Sequence, residues 1–400
     1  MNLRDNMLAL SFDVTRRCNM NCDFCFRGES QNQDITHDII DKTLDECQNV
    51  YIHMLQLFGG EPTLNLEIIE YIFDGVIKRN IAIGSVNMFT NGLICNEKIL
   101  KNFEKIIKYI ESREKEIEKY YNFFIQTCEY NYVKDSTKKA TVIISDNKND
   151  VDYIDKAFMF YNKVKSDKFA VVKQHEAFSG KRYIIISGNA EKNAKQYLTN
   201  KISLENIRLP NNKHFFISDS PIGRCVNDVI YVATNGNIYS TCSSSYKEID
   251  EFSMFNIFDC RNNLCDKIEE WCWKHPISRV ANIILERYRA AVYCKENGIY
   301  TKENLDEYIA EYKTFEMFIE LIKNNSIELH KKYPQITFNE LFKLACGKTC
   351  NYDIPKLGVP TTFFKSYLNV IIDVNDGELD TLCSSIDFRF YAANIIGKYK

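Results

Sequence analysis

Residues 8–25 read LALSFDVTRRCNMNCDFC. The first part, 8–14, is apolar and partly alternating, the pattern of a buried strand. Three thiols follow directly, at Cys18, Cys22 and Cys25, with Phe24 just before the third. A reactive loop placed at the end of a first strand already suggests a fold in which strand ends carry the chemistry.

Working outward, strands and helices alternate. The stretch 36–49 (THDIIDKTLDECQN) spaces its apolar residues as a helix after a Thr/Asp start. A second strand over 52–58 runs into Gly59-Gly60-Glu61-Pro62-Thr63, and 66–78 is an amphipathic helix. A third strand over 81–89 closes at Thr90-Asn91-Gly92, a turn signal. A charged helix over 96–119 reads as a solvated outer face. The β-branched strand 140–145, a helix from Asp150 to Lys165 and strands at 168–173 and 182–187 continue the series. Alternation of this kind builds a parallel sheet with helices outside, so the fold class is α/β. Five or six such units suit a partial (β/α)6 TIM-like barrel, whose sites gather at the C-terminal strand ends.

The pattern changes after about residue 200. A hairpin is expected over 229–241 with Asn235-Gly236 as its turn, then helices over 266–296, 302–333 and 337–346. The expected division is a core domain, 1–210, and a C-terminal region, 211–400, holding a small hairpin and then a mostly helical cover or substrate-docking part.

Of the 400 residues 45% are hydrophobic and 26% charged, which excludes a disordered or fibrous chain. The net charge of -3 argues against a broad nucleic-acid surface. Neither a signal peptide nor a transmembrane stretch is visible, so the expectation is a cytoplasmic protein without membrane contact. In a reducing compartment the 15 cysteines are expected as thiols, ligands or catalysts rather than disulfides. Three closely spaced thiolates can hold three irons of a [4Fe–4S] cluster and leave the fourth iron open. An open position is what a catalytic metal needs. Structural zinc usually takes two paired knuckles, and no partner knuckle follows nearby.

The C-x3-C-x2-C spacing of Cys18, Cys22 and Cys25, with Phe24 in the aromatic position, resembles the radical S-adenosylmethionine (radical SAM) superfamily. The segment Gly59-Gly60-Glu61-Pro62 matches that family's GGE motif. The resemblance implies that Phe24, Gly59, Gly60, Glu61, Pro62 and Ser145 surround S-adenosylmethionine, with Glu61 accepting from its ammonium. It also implies reductive cleavage of that cofactor to a 5′-deoxyadenosyl radical, which takes a hydrogen from the substrate. A flavodoxin or ferredoxin is the implied electron donor. Thr90-Asn91-Gly92 is similar to the TNG of peptide-modifying members, and Asn189 in Ser187-Gly188-Asn189-Ala190 stands where some members carry arginine.

Cys225, the Asn235-Gly236 turn and Cys242 are similar to the opening of a SPASM or twitch extension, which binds auxiliary clusters. Cys260, Cys265, Cys272, Cys294, Cys346 and Cys350 depart from that extension's later spacing, so buried thiols and a single cluster are expected. His175, Glu176, Trp271 and Trp273 read as structural residues. Two substrate classes stay open: a peptide or protein side chain, or a small molecule or nucleotide as in viperin-like members.

Overall fold

The computed structural model describes residues 7–117, 138–145, 151–174, 184–194, 202–209, 225–239, 253–261, 263–274 and 279–307, with residues 198 and 309. They fall into two compact units: Met1–Lys192 with Cys225–Ile268, and Asn193–Arg224 with Glu269–Lys400.

The first unit is built on one sheet. Strands β1 (Met7–Asp13), β2 (Tyr51–Phe58), β3 (Val86–Thr90), β4 (Ala140–Ile144) and β5 (Phe169–Lys173) lie side by side in chain order and all run parallel. The helices α1 (His37–Asp45), α2 (Leu66–Lys78), α3 (Glu97–Ser112) and α4 (Val151–Tyr161) alternate with them. Side-chain caps set where three of these helices start: Thr36, Asn65 and Asn96 accept from Ile39, Ile68 and Lys98 backbone N–H groups.

Strand residues alternate between two environments. Leu10, Phe12, Leu55, Leu57, Val86, Met88, Ala140, Val142 and Ile144 form one face and are fully buried. The aromatic chain Phe73, Phe103 and Phe169 ties α2, α3 and β5 together, with centroids 6.1 and 5.4 Å apart. The opposite face is more polar. Ser11, Gln56, Asn87 and Thr141 share one register row. This two-faced, largely parallel sheet, covered by helices on its apolar side, has the α/β architecture expected.

Two features differ from the sequence reading. Of the strand expected at 182–187, only β6 (Ile184–Ile185) forms among the described residues, and it lies outside the large sheet. The sixth parallel strand is instead β8 (Cys225–Val232), paired with the free edge of β1. A strand edge left open invites pairing, and β8 satisfies it from far along the chain. β9 (Asn237–Tyr239) and β10 (Phe255–Asn256) continue outward antiparallel. The expected hairpin turn is present: Asn237 N–H donates to Asn235 Oδ1 at 3.0 Å. The charged helix expected over 96–119 ends at Ser112 and buries Ile99, Leu100, Phe103, Ile106, Ile107 and Ile110 along one side.

The helical region expected from 266 begins as Leu264–Lys274 and Arg279–Glu296, with β7 (Ile207–Arg208) also in the second unit. The helices expected over 302–333 and 337–346 lie largely or wholly outside the described residues, as do His175, Glu176, Cys242, Cys346 and Cys350. Cys260 and Cys265 are buried thiols beside Cys47, and Cys260 Sγ lies 3.5 Å from Glu46 Oε2. Burial and these neighbours push the Cys47 thiol well above its ordinary value. Trp271 is buried. Among the described residues no helix is long and apolar enough to cross a membrane.

Candidate functional site: the cysteine loop and the strand ends that hold it

Cys18, Cys22 and Cys25 lie in the loop that leaves β1, and all three are partly exposed and outside any disulfide. The loop has internal bonds: Cys25 N–H donates to Cys22 O at 3.1 Å, and Gly28 N–H to Cys25 O at 3.3 Å. Ser30 Oγ accepts from Cys18 N–H at 2.9 Å. Burial pushes the Cys18 thiol up, Glu61 and Cys25 add to the rise, and Met20 N–H and Arg27 oppose it.

Three of the other motifs, GGEP, TNG and SGNA, sit at C-terminal strand ends and bond to this loop or its root. After β2, Gly60 N–H donates to Thr15 O at 2.6 Å and Glu61 N–H to Arg17 O at 2.8 Å. A Cβ on Gly60 would collide with the Arg17 carbonyl, and one on Gly59 would sit 2.6 Å from Thr15 O. The glycine pair is therefore required where β2 ends against the root of the cysteine loop. Pro62 follows in a buried turn, Pro62–Leu64.

Glu61 is 1% exposed. Its Oε1 accepts from Thr63 N–H at 3.1 Å, Thr63 Oγ1 at 2.6 Å and Thr90 Oγ1 at 2.7 Å. Its Oε2 accepts from Asn91 N–H at 2.7 Å. Burial pushes the Glu61 carboxyl above its ordinary value, and these four donors offset part of that rise. Oε2 accepts only one of these bonds and keeps acceptor capacity beyond Asn91.

The Thr90-Asn91-Gly92 segment is thus more than a turn. Asn91 links Glu61 to the cysteine loop, because its Nδ2 donates to Asn19 Oδ1 at 2.7 Å. Ser145, after β4, joins the same rim through its N–H to Thr90 O at 2.8 Å. Asn189, after β6, donates from Nδ2 to Asn21 Oδ1 at 2.8 Å and to Cys22 O at 3.0 Å. Asn19 and Asn21, the residues flanking Met20 between the first two cysteines, are each held from a different strand end.

The inward face beneath the loop is aromatic. Phe58 stacks on Phe26 at 6.3 Å and meets Phe89 and Tyr231 edge-on at 5.8 and 6.1 Å. The Arg27 guanidinium lies 4.2 Å from the Phe58 centroid and pairs with Asp13 at 3.0 Å, both side chains nearly buried. Phe24, the aromatic marked by the motif, is half-buried. The sequence reading missed Phe26, Arg27 and Asp13; an Asp at the end of β1 and an Arg two residues after the third cysteine were the available signal.

Among the described residues, no three His, Cys, Asp or Glu side chains converge as a single-ion site. A four-iron cluster makes a different demand, since each thiolate binds its own iron. Three thiols on one short loop, with no fourth cysteine in it, fit that donor set. For the auxiliary ligands, β8 starts at Cys225, whose side chain is not among those described, and Cys242 lies outside the described residues.

Comparison with known proteins bears on the same residues. The model of the radical SAM superfamily matches residues 12–141. An uncharacterized protein of Methanocaldococcus jannaschii is 32% identical over 107 residues, 26% of this chain and 36% of the relative. The tungsten-containing aldehyde ferredoxin oxidoreductase cofactor-modifying protein of Pyrococcus furiosus is 30% identical over 104 residues, 25% of this chain and 28% of the relative. GTP 3',8-cyclase of Clostridium perfringens is 29% identical over 163 residues, 36% of this chain and 49% of the relative. The chain therefore spans half or less of the length of these relatives. The matched segment 12–141 contains the cysteine loop, the GGEP segment and the TNG segment. The segment thus matches the model of the radical SAM superfamily, a family of enzymes that use a [4Fe–4S] cluster and S-adenosylmethionine.

Proposed function

We propose that the protein abstracts a hydrogen atom from a peptide or protein side chain. When bound, the cluster and S-adenosylmethionine supply the one-electron chemistry that generates the abstracting radical. In this reading Cys18, Cys22 and Cys25 hold the cluster. Phe24, Gly59, Gly60, Glu61, Pro62 and Ser145 surround the cofactor. The rings of Phe58, Phe26 and Phe89 shield the reacting centre from water.

The observation that supports a peptide is the chemistry of the inward sheet face. Its lower row, Ser11, Gln56, Asn87 and Thr141, is polar and uncharged. The next row, Asp13, Phe58, Phe89, Ile143 and Val172, follows the same register and is apolar apart from Asp13, whose charge is paired with Arg27. Among the described residues near the strand ends, Arg27 pairs with Asp13 at 3.0 Å, Arg17 pairs with Asp34 at 2.8 Å, and Lys173 lies 5.8 Å from the Phe158 centroid. A triphosphate calls for cationic clamps, whereas a neutral side chain suits apolar walls with a few uncharged hydrogen-bonding groups.

The second reading is a nucleotide or other small molecule, favoured by the similarity to GTP 3',8-cyclase. A flavodoxin or ferredoxin is proposed as the electron donor, and the cytoplasm as a reducing setting that preserves the thiolates. The test incubates the anaerobically reconstituted protein with S-adenosylmethionine, a reductant and either short precursor peptides encoded beside it or GTP. A peptide of altered mass, formed only with cofactor and reductant, is expected. Conversion of GTP with every peptide left unchanged would replace this reading by the second.

A further inference from the structure

Asn189 is the second residue of the short helix Gly188–Lys192, more than 160 positions after the cysteine loop it touches. It is 8% exposed. Besides the two Nδ2 bonds, to Asn21 Oδ1 at 2.8 Å and Cys22 O at 3.0 Å, its backbone N–H donates to Cys25 O at 2.9 Å. The N–H of Ala190 donates to the same oxygen at 3.2 Å. Next to it, Gly188 (φ 56°) lies so close to the loop that a Cβ there would collide with Gly28 N. Two backbones in such contact, joined by four hydrogen bonds, leave the Cys22–Cys25 segment little freedom.

We propose that Asn189 is a positioning residue for the cluster. Its amide fixes the carbonyl of the middle ligand, and its N–H with that of Ala190 fixes the carbonyl of the last. The loop is thereby ordered before iron arrives, so cluster binding does not bear the cost of ordering it. Asparagine suits this task because the carboxamide is a double donor facing two oxygen acceptors. Aspartate keeps the shape but offers no donor and sets a charge against both oxygens. The proposal rests on the reading that Cys18, Cys22 and Cys25 hold a [4Fe–4S] cluster. It adds an outer-layer residue from the far end of the sheet.

The test compares reconstituted wild type with Asn189→Ala, Asn189→Asp and Asn21→Ala. Three quantities are measured: thermal unfolding of the iron-free protein, the rate of iron loss to a ferrous chelator, and the electron paramagnetic resonance spectrum of the reduced cluster. Loss of outer-layer partners typically costs about 10–100-fold in metal affinity. Iron loss from both Asn189 variants is therefore expected to be faster by about 10-fold or more, with a changed spectrum. Asn21→Ala, at an exposed position, keeps the Cys22 and Cys25 bonds and is expected to show a smaller increase. It also serves if an Asn189 variant fails to fold. Wild-type retention and an unchanged spectrum in every folded variant would overturn the proposal while leaving the cluster in place. A wild type without a cluster spectrum would overturn the underlying reading as well.

Discussion

Replacing Glu61 with glutamine perturbs the junction on which the strand-end motifs meet. The carboxylate accepts four hydrogen bonds, three at Oε1 and one, from Asn91 N–H, at Oε2. In Glu61→Gln the amide oxygen can serve the Oε1 donors. The NH2 group then faces the Asn91 N–H, donor against donor, across 2.7 Å. Leaving one buried N–H without an acceptor costs about 1–3 kcal/mol.

An opposing effect reduces that figure at neutral pH. Burial raises the Glu61 carboxyl, so the ionised form is itself disfavoured in the fold, and glutamine escapes that cost. For a group whose folded value is raised, the stabilising contribution is present below the ordinary carboxylate value. It is lost as pH rises through the folded value. Glutamine does not titrate, so the variant's deficit should be larger at pH 5 than at pH 8. Urea unfolding of wild type and Glu61→Gln at both pH values measures this. The loss of the Asn91 anchor also frees Asn19 in the cysteine loop, so cofactor affinity should fall by roughly 10-fold. Equal unfolding midpoints at both pH values, together with unchanged cofactor affinity, would refute the reasoning.

Other substitutions probe the frame beneath the site. Asp13→Asn leaves the buried Arg27 guanidinium without its counter-charge, and should cost about 3–5 kcal/mol in chemical denaturation; an unchanged midpoint would show the pair to be dispensable. His53, near the start of β2, has its imidazole pushed down to about 4 by burial, with a backbone bond to Leu8 opposing. Stability from the neutral ring is therefore present above its ordinary value and is lost as pH falls toward the folded one, up to about 3 kcal/mol. His53→Gln should remove that pH dependence between pH 6.5 and 4, and an identical acid profile in the variant would count against it.

Much of this site was legible because its chemistry demands fixed residue types at fixed spacing. Cys18, Cys22 and Cys25 must stand close together to meet one cluster, and Gly60 must be glycine where two backbones touch. Strands β1, β2, β4 and β5 followed from β-branched and alternating residues. The start of β3 did not: Ile83 makes only an isolated bridge to Ile52, and the strand proper begins at Val86. β8 beside β1 and Asn189 against Cys22 are pairings across very long separations, and such contacts leave no local period to read. The motif marked Phe24, yet Phe26 is the ring that stacks on Phe58, because spacing along the chain does not say which side of a loop faces the sheet. Glu61 was assigned to a ligand; its four internal donors, on Thr63, Thr90 and Asn91, come from residues whose proximity only the fold creates.

Iron content and cofactor cleavage in the Cys18→Ala/Cys22→Ala/Cys25→Ala protein test the central claim most directly. Wild type and triple variant are reconstituted anaerobically, assayed for iron, and treated with S-adenosylmethionine and a strong reductant, with 5′-deoxyadenosine quantified. The account predicts about four irons per wild-type chain, reductant-dependent 5′-deoxyadenosine, and neither iron nor product in the variant. Product from the triple variant would contradict the assignment of the site, and about four irons persisting in it would place a second cluster elsewhere in the chain.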